Sequence, residues 1–140
     1  MMELWNTEMG ETYLVPAATP ATADVRVAWL ADSSSGYGEA GLELPAGGVL
    51  GAVVPIRVLV KIASNITEDS FFQEVALHEF GHVLGLVDHS FYCNSAGHLM
   101  LNGGARGNLL LPDPIHPDER RAVRTIRRLA QGVDMRGYEP

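Results

Sequence analysis

His78, Glu79 and His82 stand in the run His78-Glu79-Phe80-Gly81-His82. On a helix, residues four apart share one face, with Cβ atoms about 5–6 Å from each other. Two imidazoles so placed can both reach one Zn2+ ion at about 2.0–2.1 Å. Zinc lowers the pKa of its water to about 7. Glu79, next to the first imidazole, is placed to take that proton and pass it to a leaving amine. The metal also polarises a scissile carbonyl. A bare H-E-x-x-H arises by chance on helices, so its surroundings carry weight. Gly85 lies three residues after His82, where the backbone must leave the helix sharply. Two metal-capable residues, Asp88 and His89, follow, and Met100 lies further on in a glycine-rich stretch. Either residue type can ligate zinc, histidine being the commoner.

The elements that must hold these residues are legible as patterns. A helix is expected from about Ser70 to Gly85. Ser70 and Gln73 fit a capping box, Glu68 and Asp69 suit the positive end of the helix dipole, and Gly85 suits a C-terminal stop. Phe72, Val75, Ala76, Phe80, Val83 and Leu84 wrap so much of this helix that it should be buried on more than one side. Val25–Leu30 alternates and is β-rich, and Ile56 to Ile62 puts Ile56, Val58, Val60 and Ile62 on one face; both read as strands. Asp32 to Gly48 reads as a Ser- and Gly-rich loop, and Val49 to Val54 as a short strand closed by Pro55. Residues 86 to 116 read as one long structured loop. A last helix is expected from Pro117 to about Ala130, with Asp118 and Glu119 in its first turn.

Composition sets the frame. The 140 residues suffice for one domain with one core, and 46% apolar with 19% charged residues is an ordinary globular balance. No apolar run is long enough to span a bilayer, so no membrane partner is expected. A net charge of −7 argues against nucleic acid. The cluster Arg120, Arg121, Arg124, Arg127 and Arg128 reads as a solvated helix face. The single cysteine, Cys93, excludes an intrachain disulfide and reads as a buried or idle thiol. The first residues lack the basic segment and apolar core of a signal peptide.

His78 to Asp88 resembles the metzincin pattern H-E-x-x-H-x-x-G-x-x-H/D. An aspartate at the third-ligand position, the run Leu84-Gly85-Leu86-Val87-Asp88-His89, and Cys93 followed by Leu99-Met100 and Gly103-Gly104 are similar to the snapalysins, a family of small secreted neutral proteases. A more distant similarity is to the matrixins. The resemblance covers about residues 25 to 130 and is strongest from 75 to 104.

It implies an α+β metzincin fold: a twisted mixed sheet on the active-site helix, with the ligand loop, a Met-turn and the final helix forming a smaller lower half. It implies a zinc endopeptidase, secreted and monomeric, acting on protein or peptide substrates. His78, His82 and Asp88 (or His89) would bind one catalytic Zn2+, Glu79 would be the catalytic acid–base, and Met100 would pack beneath the metal. Gly48 to Pro55 is placed like the cleft's edge strand, with Leu50, Gly51 and Ala52 offering backbone to substrate. Asn102 occupies a position where some metzincins carry a tyrosine ligand, so no such ligand is expected. No histidine precedes His78, so a second, structural zinc of the matrixin kind is not expected either. His98 could meet substrate, although an ordinary loop role is the simpler reading, and His116 sits just before the last helix. Ca2+ on Asp32, Glu39 and Glu43 has no recognisable loop pattern behind it. Metzincins begin with a strand and a helix ahead of the part matched here, whereas only about 24 residues precede Val25, with Leu4-Trp5-Asn6 resembling the tail of that helix. The expectation is a single domain, 1–140, lacking its first strand and most of its first helix. The alternatives are a zinc-binding module impaired in cleavage by that loss, and a protein whose zinc is purely structural.

Overall fold

The computed structural model describes residues 1–34, 36–43, 57–86, 98–100 and 115–128. In chain order these form α1 (Met2–Met9), a single 3-10 turn (Pro20–Thr22), β1 (Val25–Leu30), β2 (Gly38–Glu43), β3 (Arg57–Ala63), α2 (Asp69–Val83) and α3 (Pro117–Arg128). The result is a small α+β arrangement with a three-stranded mixed sheet. The expected strand at Val49 to Val54, with Leu50, Gly51 and Ala52, lies outside the described residues, as do Asp88, His89, Cys93 and Asn102.

β3 is the central strand, parallel to β1 and antiparallel to β2. Its Val58, Val60 and Ile62 share the face that meets α2, as their spacing predicts. β1 forms as expected but does not bury as its alternation suggests. Val27 and Trp29 lie opposite Val60 and Ile62 yet remain 58% and 65% exposed. Among the described residues β1 is an edge strand, and α2 covers it only in part, with Trp29 reaching Phe72 at a ring separation of 5.9 Å.

β2 corrects the expectation of a loop from Asp32 to Gly48. Gly38 and Gly41 weaken its intrinsic strand tendency, but pairing to β3 along its length overrides it. Cross-strand ion pairs, Glu39 with Lys61 and Glu43 with Arg26, add to the ladder. These acidic residues are therefore answered by cations, and the Asp32 carboxylate accepts the Ser34 N–H at 2.8 Å. The three do not gather into a calcium site.

α2 is buried on two sides, as its apolar wrap predicts. Val75 and Ala76 pack with Val60 and Ile62 on the sheet. Leu77, Phe80 and Leu84 pack on the other side with Trp5, Met9, Leu99, Met100, Ile115 and Val123. The Trp5 indole N–H donates to the Leu77 carbonyl at 3.2 Å, tying α1 to α2. The start of α2 differs from expectation. Its N-cap is Glu68, and Ser70 lies inside the helix with its hydroxyl donating to the Glu68 carboxylate, so the Ser70–Gln73 capping box does not form. The end agrees. Gly85 N–H bonds the His82 carbonyl and Leu86 N–H bonds the Gly81 carbonyl, the paired bonds of a Schellman stop, with Gly85 at φ +107°.

The arginine cluster is only partly the solvated face expected. Arg120 pairs with Glu8, and Arg124 donates to the Met9 carbonyl at 2.9 Å, closing the C-terminal end of α1. Arg121, Arg127 and Arg128 remain exposed.

A Cβ at residue 85 would be strained by its φ and would stand 3.0 Å from Ile126 Cγ2. Gly85→Ala is expected to lower stability by about 1–3 kcal/mol in urea unfolding. Because the strain is local to the helix stop, an unchanged midpoint would show that the last turn unwinds without consequence.

Candidate metal centre

His78, Glu79 and His82 occupy the last two turns of α2, close to its Schellman stop. The His78 and His82 rings lie 4.9 Å apart, centroid to centroid, and nearly perpendicular at 86°. Each ring is oriented by a backbone carbonyl. His78 Nδ1 lies 2.8 Å from the Leu99 oxygen, and His82 Nδ1 lies 2.5 Å from the Leu86 oxygen. A carbonyl can only accept, so each neutral ring carries its proton on Nδ1 and its lone pair on Nε2. This is the arrangement that orients histidines for metal ligation. The local causes are distinct. The Schellman stop turns the Leu86 carbonyl back towards His82, whereas Leu99 comes from a turn far along the chain.

That turn is seated against α2 by Met100. Met100 is 3% exposed, and its sulfur occupies the space that a side chain at Gly81 would need: a Cβ there would stand 2.5 Å from Sδ. Met100 thus packs against the turn of helix between the two histidines.

Glu79 is buried, and its Oε2 has no hydrogen-bond partner among the described residues. Its carboxyl lies under Gly38 of β2, where a Cβ would meet Oε1, Cγ and Cδ at 2.6–2.9 Å. Burial, with a smaller contribution from the negative charge of Glu39, raises the Glu79 pKa to about 7. An acid–base group in this range can both accept and return a proton near neutrality.

The donor types suit zinc as far as they are described: two imidazoles 4.9 Å apart, each with Nδ1 on a backbone carbonyl, and on the same helix a buried carboxylate whose Oε2 has no hydrogen-bond partner among the described residues. Among the described residues no group of three metal-capable side chains comes together, and both candidates for the third ligand, Asp88 and His89, lie outside them. His98 is half-buried, stacked on the His116 ring at 3.9 Å.

Two residues of this neighbourhood are not signalled as such in the sequence. Gly38 sits in what reads as a loop. Glu119 reads as an ordinary acidic residue in a helix's first turn, yet its carboxylate is buried and accepts the Met100 N–H at 2.7 Å and the His116 N–H at 2.9 Å. The spacing His116-Pro117-Asp118-Glu119, with Glu at the third helical position, is the signal that points to the second of these bonds. Comparison with known protein families, curated proteins and solved structures finds no match to this chain.

The raised Glu79 pKa has a thermodynamic consequence. In metal-free protein below pH 4.5 the carboxyl is protonated whether folded or unfolded, and its contribution to stability is fully present. Between about 4.5 and 7 the unfolded chain ionises while the folded one holds its proton, so stability is lost as pH rises through this window. Glu79→Gln removes that loss. By urea unfolding it should be more stable than wild type above pH 7, by on the order of 3 kcal/mol at most, with the difference vanishing towards pH 4.5. A difference independent of pH would show that ionisation of Glu79 is not the cause.

Proposed function

We propose that this chain is a zinc-dependent metalloendopeptidase of the metzincin type. The observation that carries the reading is the pair His78 and His82, one turn apart with both Nδ1 atoms held by backbone carbonyls, on the helix that also carries the buried Glu79 carboxylate. His78 and His82 would hold the ion through Nε2, with Asp88 as third ligand and His89 as the alternative. Bound zinc would supply a Lewis acid that acidifies water and polarises a peptide carbonyl. Glu79 takes the proton from the attacking water and returns it to the departing amine, a double duty for which a pKa near 7 is suited. Gly38 leaves room for that carboxyl to lie against the sheet.

The pairing of β2 supports a place for an extended substrate. Ala63 N–H bonds the Tyr37 carbonyl, and the antiparallel register alternates from there. Glu39, Gly41 and Glu43 therefore turn their backbone groups to β3, while Gly38, Ala40 and Leu42 turn theirs outward. Among the described residues β2 pairs only with β3, so this outward row is available to an extended peptide by strand addition, starting at Gly38 against Glu79. β2 is thus the edge we favour for substrate, alongside the expectation for Leu50, Gly51 and Ala52.

Incubation with casein tests the reading. The purified chain should bind one zinc and cleave, cleavage should stop under a zinc chelator, and Glu79→Gln should bind zinc but lose activity by several orders of magnitude. Cleavage that persists with chelator or in Glu79→Gln overturns the mechanism. Stoichiometric zinc without cleavage would favour an impaired binding module or a structural ion. In the same assay of bound metal, Asp88→Ala should lose zinc and His89→Ala retain it. Proline is tolerated where an edge N–H faces outward, so Ala40→Pro should raise KM severalfold for an extended peptide while leaving the melting temperature nearly unchanged; an unchanged KM removes β2 from the substrate site.

A further inference from the structure

The Leu99–Met100 peptide unit is held at both ends. Its carbonyl lies 2.8 Å from His78 Nδ1, and its N–H donates to Glu119 Oε1 at 2.7 Å. Glu119 lies 19 residues further along, on the first turn of α3, and is 6% exposed. Its other oxygen, Oε2, accepts the His116 N–H, an ordinary capping role that needs one oxygen only. Asp118 N–H in turn donates to His116 Nδ1 at 3.2 Å, completing the cap without Oε1. Helix capping therefore accounts for half of this buried carboxylate, and the other half is committed to the turn that meets His78.

We propose that Glu119 is a positioning residue for His78, acting through the Leu99–Met100 peptide. A carboxylate accepting from an amide N–H draws charge through the amide and makes its carbonyl oxygen a stronger acceptor. The stronger acceptor holds the His78 proton on Nδ1, fixes the ring plane and makes Nε2 a better donor to a metal. The chain of contacts runs Glu119 carboxylate, Met100 N–H, Leu99 carbonyl, His78 Nδ1–H. Met100 secures the same turn from the other side, its sulfur lodged against Gly81, so the peptide cannot swing away from the ring without unpacking α2. Only the consequence for metal affinity rests on the zinc reading above; the effect on the imidazole belongs to the metal-free protein.

The test uses the full chain, metal-free and loaded with Zn2+. Glu119→Gln keeps the side chain's shape and removes its charge. Arg124→Ala serves as a control, removing a contact between α3 and α1 without touching the turn. In metal-free protein, nitrogen-15 NMR of the histidine rings should show the His78 Nδ1–H resonance moved upfield and exchanging faster in Glu119→Gln, with His82 unmoved and both rings unchanged in Arg124→Ala. Chelator competition should show Zn2+ affinity lowered about 10–100-fold in Glu119→Gln and unchanged in Arg124→Ala. If Glu119→Gln does not fold, Glu119→Asp, one methylene too short to reach Met100, carries the same readouts. A His78 resonance that matches wild type in the Glu119 variant overturns the relay, as does an equal shift in Arg124→Ala. A wild-type chain that takes up no zinc refutes the zinc reading instead, and the His78 resonance still decides the relay.

Discussion

A helix buried on both sides can carry polar side chains only if other parts of the chain meet them, and α2 carries Glu74, His78, Glu79 and His82. The solution differs residue by residue. His82 is met by its own helix stop, because Gly85 turns the backbone so that the Leu86 carbonyl faces the ring. His78 is met from a distance by the Leu99 carbonyl. Glu79 is left with an oxygen that nothing among the described residues satisfies. A buried group that burial penalises is costly to keep, and such cost is characteristic of sites that do chemistry.

The turn at Leu99–Met100 is where the separate parts of the fold meet. Its side chains enter the core with Trp5, Leu77 and Val123, its carbonyl faces α2, and its N–H faces α3. α3 is in turn bound to α1 by Arg120 and Arg124, and α1 to α2 by the Trp5 indole. These contacts close a ring of four elements around one apolar cluster. The carbonyl that orients His78 thus sits where this turn meets α2 on one side and α3 on the other.

The sheet governs the other side of the site. Gly38 brings the β2 backbone against the Glu79 carboxyl, and that close approach excludes water from it. Desolvation then holds its pKa near neutrality, and Glu39 adds repulsion of the same sign. One glycine on an edge strand therefore links the sheet's geometry to the proton affinity of the proposed acid–base group, and the same strand turns the backbone of Ala40 and Leu42 outward.

Much of this was readable without coordinates. The apolar wrap of residues 72 to 84 determined a helix buried on two faces, the alternation from Ile56 to Ile62 determined a strand, and Gly85 determined the helix stop, because each depends on neighbours within one or two turns. The four-residue spacing of His78 and His82 put their rings on one side of the helix for the same reason. What the tertiary structure decided rests on partners far along the chain. β2 exists because β3 lies beside it, against the weak tendency of Gly38 and Gly41. Val27 and Trp29 stay exposed because α2 covers β1 only in part. Arg120 and Arg124 leave solvent because α1 brings Glu8 and the Met9 carbonyl to them. Glu119 reaches the His78 turn across 19 residues, and no local pattern in a sequence reports which backbone amide a buried carboxylate will find.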